Sequence, residues 1–184
     1  MAMKNTLIIL AEGFEEVEAL TTVDLLRRAN VRCDMVSLGD TDHVTGSHGI
    51  TVEADRKLSQ LNPGEYDGLI LPGGMPGTKN LAGDERVLRL LRLFHTEGKL
   101  TAAICAAPTV LAKAGLLVGK TAVCYPGMEE QLTGSKTGTG SVAVDGTVIT
   151  SRGLGTAIEF ALAIVRYYEG DEASATLAKT VVWG

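Results

Sequence analysis

The chain has 184 residues, 22 acidic against 17 basic side chains and a formal net charge of −5, with 45% apolar and 4% aromatic content. These are ordinary globular values and exclude a disordered, collagen-like or coiled-coil chain. An acidic balance with few aromatics also argues against sequence-specific nucleic-acid binding, whether by phosphate contacts or by base stacking. The length suits one domain spanning 1–184. The opening apolar run is too short for a signal peptide and no stretch approaches a membrane span, so a cytoplasmic location is expected. Three cysteines (Cys33, Cys105, Cys124) without CxxC spacing, and scattered histidines (His43, His48, His95), argue against a disulfide framework and a structural metal site.

Residues 6–11 (TLIILA) read as a short buried strand ended by Gly13. A helix follows over 15–29, with Arg27 and Arg28 in its last turn. Residues 31–38 form a second strand, and 43–54 hold β-like pieces of an excursion or hairpin. Residues 67–71 (DGLIL) are a third core strand, stopped by Pro72-Gly73-Gly74 and a Gly-rich loop. An amphipathic helix covers 84–97, burying Val87, Leu90, Leu91 and Phe94. A strand at 100–104 runs into a helix at 108–117 that has Pro in its first turn. A strand at 121–125, a hairpin over 141–151 turning at Asp145-Gly146, and helices at 156–169 and 171–179 complete the chain. Alternating strands and helices imply an α/β sandwich with a mainly parallel sheet.

Ligands of such folds sit in the loops that lead from strand carboxyl ends into helices. One such loop carries Cys105, between a strand and Pro108. A thiol beside the free N–H groups of a helix start is either a low-pKa nucleophile or an inert buried cysteine. Cys33 and Cys124 fall in strands and read as small core residues. In the first loop, Glu18 shares a helical stripe with Phe14, Thr22, Leu25 and Ala29. Desolvation there raises its pKa, so that a protonated Glu18 can donate to a thiolate. Glu12 and Glu16 read as solvated acids, and Glu15 as either that or a site residue. Gly73 and Gly74 form either a tight turn or a backbone oxyanion cradle. His95 reads as a solvated helix end, while His48 lies in the excursion.

The runs LAEGFEEVEAL, LPGGMPG, AAICAAP and TSRGLGTAIEFAL resemble, in order and spacing, the ThiJ/PfpI superfamily. Within it they resemble the branch of the parkinsonism-associated protein deglycase and YajL. The resemblance implies a flavodoxin-like three-layer sandwich and a homodimer. It implies that Cys105 is the reactive, oxidisable cysteine, that Glu18 is the protonated glutamate bonded to its sulfur, and that Gly73, Gly74 and Ala106 are backbone donors. Glu15 and His48 would stand behind them, His48 replacing an arginine that several members contribute from the partner subunit. Ala106, where protease-like members carry His, argues against peptidase activity, and Tyr125 stands where some members have His. The implied functions are a metal- and cofactor-free glyoxalase or deglycase acting on small aldehydes or on glycated protein or thiol adducts, or a redox-sensing, chaperone-like dimer. The older family name adds a thiamine-related enzyme.

Overall fold

The computed structural model describes residues 3–184; Met1 and Ala2 of the opening run lie outside the described residues. In chain order the strands and helices begin with β1 (Asn5–Leu10), α1 (Glu16–Arg28), β2 (Arg32–Ser37), β3 (His43–Thr45), β4 (Thr51–Glu53), β5 (Arg56–Lys57) and β6 (Gly68–Leu71). They continue with α2 (Gly77–Gly83), α3 (Glu85–Thr96), β7 (Leu100–Ile104), α4 (Pro108–Lys113), β8 (Thr121–Ala122), β9 (Lys136–Thr137), β10 (Val142–Asp145), β11 (Val148–Ser151) and α5 (Ala157–Thr180).

The main sheet has the order β10-β11-β7-β6-β1-β2-β5. All its pairs are parallel except the β10–β11 hairpin. Numbered as core strands, β2, β1, β6, β7 and β11 follow the flavodoxin-like order, whose direction reverses between β1 and β6. A crevice opens at such a reversal, and the loops after β1 and β6 border it.

Side chains alternate across each strand. Leu7, Ile9, Leu69, Leu71 and Ala103 pack on one face with α3 and α4, through Leu91, Phe94, Val110 and Leu111. Ile8, Leu10, Ile70, Ala102 and Ile104 pack on the other with α1 and α5, through Val23, Leu26, Phe160 and Ile164. The strands are therefore apolar on both faces, which explains their unbroken hydrophobic runs. No helix among the described residues is long and apolar enough to cross a membrane.

Several boundaries differ from the sequence reading. The helix expected over 108–117 stops at Lys113, because Gly115 turns left-handed at φ 86° and closes the end. The strand expected over 121–125 is reduced to β8. Beyond it, Val123 N–H donates to Thr150 Oγ1 and Tyr125 N–H to the Cys105 carbonyl, so both leave the ladder. The helices expected at 156–169 and 171–179 are continuous apart from a kink at Gly170 (φ 88°). A short helix, α2, occupies what reads as the Gly-rich loop. His95 is half-buried rather than solvated, and its Nδ1 meets no partner.

Candidate active site

The loops after β1 and β6 lie backbone to backbone. Glu15 N–H donates to the Gly73 carbonyl at 2.9 Å, and Gly77 N–H to the Gly13 carbonyl at 3.1 Å. A Cβ on Gly77 would sit 2.8 Å from the Gly13 carbonyl, and one on Gly74 would sit 2.6 Å from the same oxygen. Gly74 also has φ 93°, a left-handed conformation that suits glycine. No side chain fits between the two loops.

α1 begins from this junction, with Glu15 at its N-cap position. Glu18 lies in the first turn and only 1% of it is exposed. Its Oε2 accepts the Gly73 N–H at 2.8 Å, and its side chain hydrogen-bonds to that of Cys105. Burial pushes the Glu18 carboxyl up to about 7; the Gly73 and Cys105 hydrogen bonds oppose the rise and the charge of Glu15 adds to it.

Cys105 immediately follows β7, with φ 65°. For a residue with a side chain, that conformation costs about 1–2 kcal/mol. The fold holds it from both sides: Cys105 N–H donates to the Ser151 carbonyl at 3.0 Å, and its carbonyl accepts from Tyr125 N–H at 2.8 Å. The elbow turns Sγ away from the strand toward Glu18 and Gly73. A Cβ on Gly73 would lie 2.5 Å from Cys105 Cβ, 2.7 Å from Glu18 Oε2 and 3.1 Å from Sγ.

The electrostatics of the thiol differ from the sequence expectation. Burial pushes Cys105 up to about 12, and the charge and hydrogen bond of Glu18 act the same way; N–H groups of Ala106 and Gly74 pull it down without prevailing. The two groups titrate as a unit. The first proton leaves near neutrality. With Glu18 the more acidic of the two, the proton that remains rests on sulfur, and a thiolate requires that proton to return to the carboxyl. The backbone donors need a correction too. Gly73 N–H is committed to Glu18, so it does not face an oxyanion, whereas the Gly74 and Ala106 N–H groups face the sulfur.

Glu16, expected in solvent, is only 3% exposed. Burial alone would raise its pKa, but hydrogen bonds from its own N–H, from the His48 N–H and ring, and from the Ile50 N–H outweigh it and hold the carboxyl down to about 2. Glu12 is exposed and accepts from Thr45 N–H. His48 Nδ1 lies 3.1 Å from Glu16 Oε2 and 3.5 Å from Glu15 Oε2. The Glu16 hydrogen bond and both carboxylate charges raise the imidazole pKa. His48 therefore belongs to the acids at the head of α1, and among the described residues it makes no hydrogen bond to Glu18 or Cys105. Cys33 and Cys124 are buried, and burial pushes their thiols up to about 12 and about 11.

Sequence reasoning named Tyr125 only through the family resemblance and passed over the rest of the rim. Tyr125, Arg152, Gly153 and Leu154 line a cavity of about 380 Å³. Tyr125, whose N–H bonds the Cys105 carbonyl, and Arg152, which follows the Ser151 that accepts the Cys105 N–H, tie this cavity to the elbow. Arg152 is exposed and forms no ion pair among the described residues. Only the run TSRGLGT marked this segment, and nothing local tied it to Cys105.

The DJ-1/PfpI family matches residues 4–167. The chain is 40% identical to the protein DJ-1alpha of Drosophila melanogaster, covering 98% of this chain and 84% of the relative. It is 36% identical to the glutathione-independent glyoxalase DJR-1.2 of Caenorhabditis elegans, covering 97% and 96% respectively. The solved structure of oxidized Toxoplasma gondii DJ-1 superposes with a TM-score of 0.95 at 36% identity, covering 98% of this chain and 99% of that one. Fold, site geometry and these likenesses agree, and the chain belongs to the DJ-1/PfpI family.

Proposed function

We propose that the protein is a cysteine-dependent, cofactor-independent enzyme of stress protection that acts on small α-oxoaldehydes such as methylglyoxal and glyoxal, or on their early adducts with amines and thiols. The observation that carries this reading is the Cys105 sulfur on a strained elbow, hydrogen-bonded to a buried carboxyl whose proton exchanges near neutrality. Sγ adds to the aldehyde carbon, and the thiol proton passes by way of Glu18 to the aldehyde oxygen. Glu18, now a carboxylate, takes the hydrogen of that carbon as a proton and returns it to the neighbouring carbonyl carbon, while the hydroxyl proton on the first oxygen moves to the second. The result is a lactoyl thioester on Cys105. Water cleaves the thioester, releasing lactate and restoring the thiol, so methylglyoxal plus water gives lactic acid with no net redox change. The Gly74 and Ala106 N–H groups stabilise the charge that develops at the reacting centre. The adjoining cavity, with Arg152 and Tyr125 on its rim, receives the rest of the substrate. The name of the Caenorhabditis elegans relative supports the same chemistry.

The test is methylglyoxal consumption by wild type and Cys105→Ser. Loss of about 100-fold or more is expected, the range for removing an attacking nucleophile. A variant that keeps the wild-type rate overturns the proposal. Glycated thiol substrates, run in parallel, separate glyoxalase from deglycase action.

A second reading is a redox-sensing, chaperone-like homodimer in which Cys105 is oxidised to a sulfinate. It is favoured by the exposure of Cys105, the one cysteine of the three that is not buried. The solved Toxoplasma gondii relative is itself an oxidised protein. Mass spectrometry after mild peroxide should show two added oxygens on the Cys105 peptide, and their absence removes this reading.

A further inference from the structure

The elbow at Cys105 is held by hydroxyl groups that the reaction itself does not use. A left-handed φ of 65° on a residue with a side chain persists only where the surroundings over-determine it. Two backbone partners do so here, the Ser151 carbonyl and the Tyr125 N–H. Ser151 is the last residue of β11, and Tyr125 lies beyond the end of β8, so a strand ladder alone fixes neither.

Thr150 supplies what is missing on the Tyr125 side. Its backbone stays in the sheet between Ala103 and Ala143. Its wholly buried side chain stands in for a strand carbonyl: Oγ1 accepts Val123 N–H at 2.9 Å. The N–H groups of Val123 and Tyr125 thus make two successive rungs, the first on Thr150 and the second on Cys105. On the other side, Ser151 Oγ donates to the Ser141 carbonyl at 2.8 Å, so the proton between it and Thr156 Oγ1, 2.7 Å away, belongs to Thr156. The Thr156 hydroxyl also faces the Gly153 carbonyl at 2.9 Å and accepts Gly153 N–H at 3.1 Å. Ser141 in turn donates to Glu159, so this row of hydroxyls ties the end of β11 to the head of α5 at two points. Thr150 and Ser151 are wholly buried within the chain.

We propose that Thr150 and the Ser151–Thr156 pair are positioning residues for the Cys105 chemistry: their hydroxyls fix the two backbone bonds that hold the elbow, and through it the direction of Sγ toward Glu18. They act on sulfur only through the backbone. The expected rates rest on the reaction proposed above, while the geometry can be read on the thiol alone. A reacting atom misplaced by about 1 Å lowers turnover about 100-fold. An apolar group of the same shape cannot replace the Thr150 hydroxyl, because Val123 N–H is then buried without an acceptor.

The test uses the full-length reduced protein with Thr150→Val, which keeps the shape and removes the hydroxyl, and Thr150→Ser, which keeps the hydroxyl. Thr6→Val is the control: Thr6 is an equally buried threonine whose hydroxyl donates to the Arg32 carbonyl at 2.9 Å, at the opposite end of the parallel sheet from the elbow. Thr150→Val should lower kcat for methylglyoxal about tenfold or more with KM changed less than about twofold, and Thr150→Ser should recover most of the rate. Iodoacetamide alkylation of the Cys105 peptide, followed against pH, should move its midpoint by about half a unit or more in Thr150→Val, because sulfur then sits differently against the Glu18 charge. The midpoint should stay in place in Thr150→Ser and in Thr6→Val. An unmoved midpoint in Thr150→Val, a wild-type kcat, or the same losses in Thr6→Val overturns the proposal. If Thr150→Val does not fold, Thr156→Val and Thr156→Ser read the same quantities from the Ser151 side. A wild type without methylglyoxal turnover overturns the proposed function instead, and the alkylation midpoint then decides this inference by itself.

Discussion

Replacing Glu18 by Gln tests the electrostatics of the site through stability. Glutamine keeps the shape of the side chain, and its carbonyl can accept the Gly73 N–H that now bonds Oε2 at 2.8 Å. In the wild type the carboxyl titrates at about 7 when folded against 4.5 as its ordinary value. The folded chain therefore binds more protons, and stability falls as pH rises. The loss begins above the unfolded pKa and levels off above the folded one. At about 1.4 kcal/mol per pKa unit the whole effect is about 3 kcal/mol, of which roughly 2.5 kcal/mol falls between pH 5 and pH 8. That figure holds whether Glu18 or Cys105 keeps the remaining proton, because the linkage counts protons and not their addresses. Urea unfolding of both proteins at pH 5 and pH 8, in chelator and reductant, measures it. Titrations away from the coupled Glu18–Cys105 pair cancel in the difference. The advantage of Glu18→Gln over wild type should grow by roughly 2–3 kcal/mol from pH 5 to pH 8. A constant difference, or one that shrinks, would refute the claim that Glu18 is held uncharged by burial.

Two further outcomes are expected. Gly73→Ala places a methyl group 2.5 Å from Cys105 Cβ and 2.7 Å from Glu18 Oε2. It should cost about 1–3 kcal/mol by thermal or urea unfolding, and methylglyoxal turnover should fall further than that stability loss explains, since sulfur and carboxyl are forced apart. A fully active and stable Gly73→Ala would show that the contact is not made. Iodoacetamide on the native protein should modify Cys105 ahead of the buried Cys33 and Cys124, as read by peptide mass spectrometry; prior labelling of either buried thiol would contradict the packing.

The fold was legible where physics is local. Apolar strands flanked by Gly and Pro, the Asp145-Gly146 turn and the Val87-to-Phe94 stripe each carry their structure in a few neighbouring residues. The period of α1 likewise located Glu18 on a buried face, because helical spacing reports burial directly. α2 was invisible, since a helix running from Gly77 to Gly83 with Lys and Asn between has little helical signature. The site was legible only in part. Glu16 looked solvated because its partners, His48 and Ile50, lie more than thirty residues away. The Cys105 environment was misjudged for a related reason. The helix start after it can be seen in the sequence, but the burial and the Glu18 charge that oppose a thiolate come from elements that only the sheet order brings together. Gly73 is similar: the sequence marks a flexible residue, while the structure shows a donor packed so close to Cys105 and Glu18 that a methyl group would collide with both.

The glycine-lined seam between the loops after β1 and β6 also limits how this protein can vary. One loop carries the residues that lead to Glu18 and the other carries Gly73 and Gly74, and their backbones touch with nothing in between. A one-residue insertion or deletion in either loop slides one backbone past the other, and carboxyl and donor leave the sulfur together. A library that varies one loop alone therefore separates Glu18 from its Gly73 donor, whereas the two loops moved together keep that pair, and Cys105 must still come with β7 and its elbow.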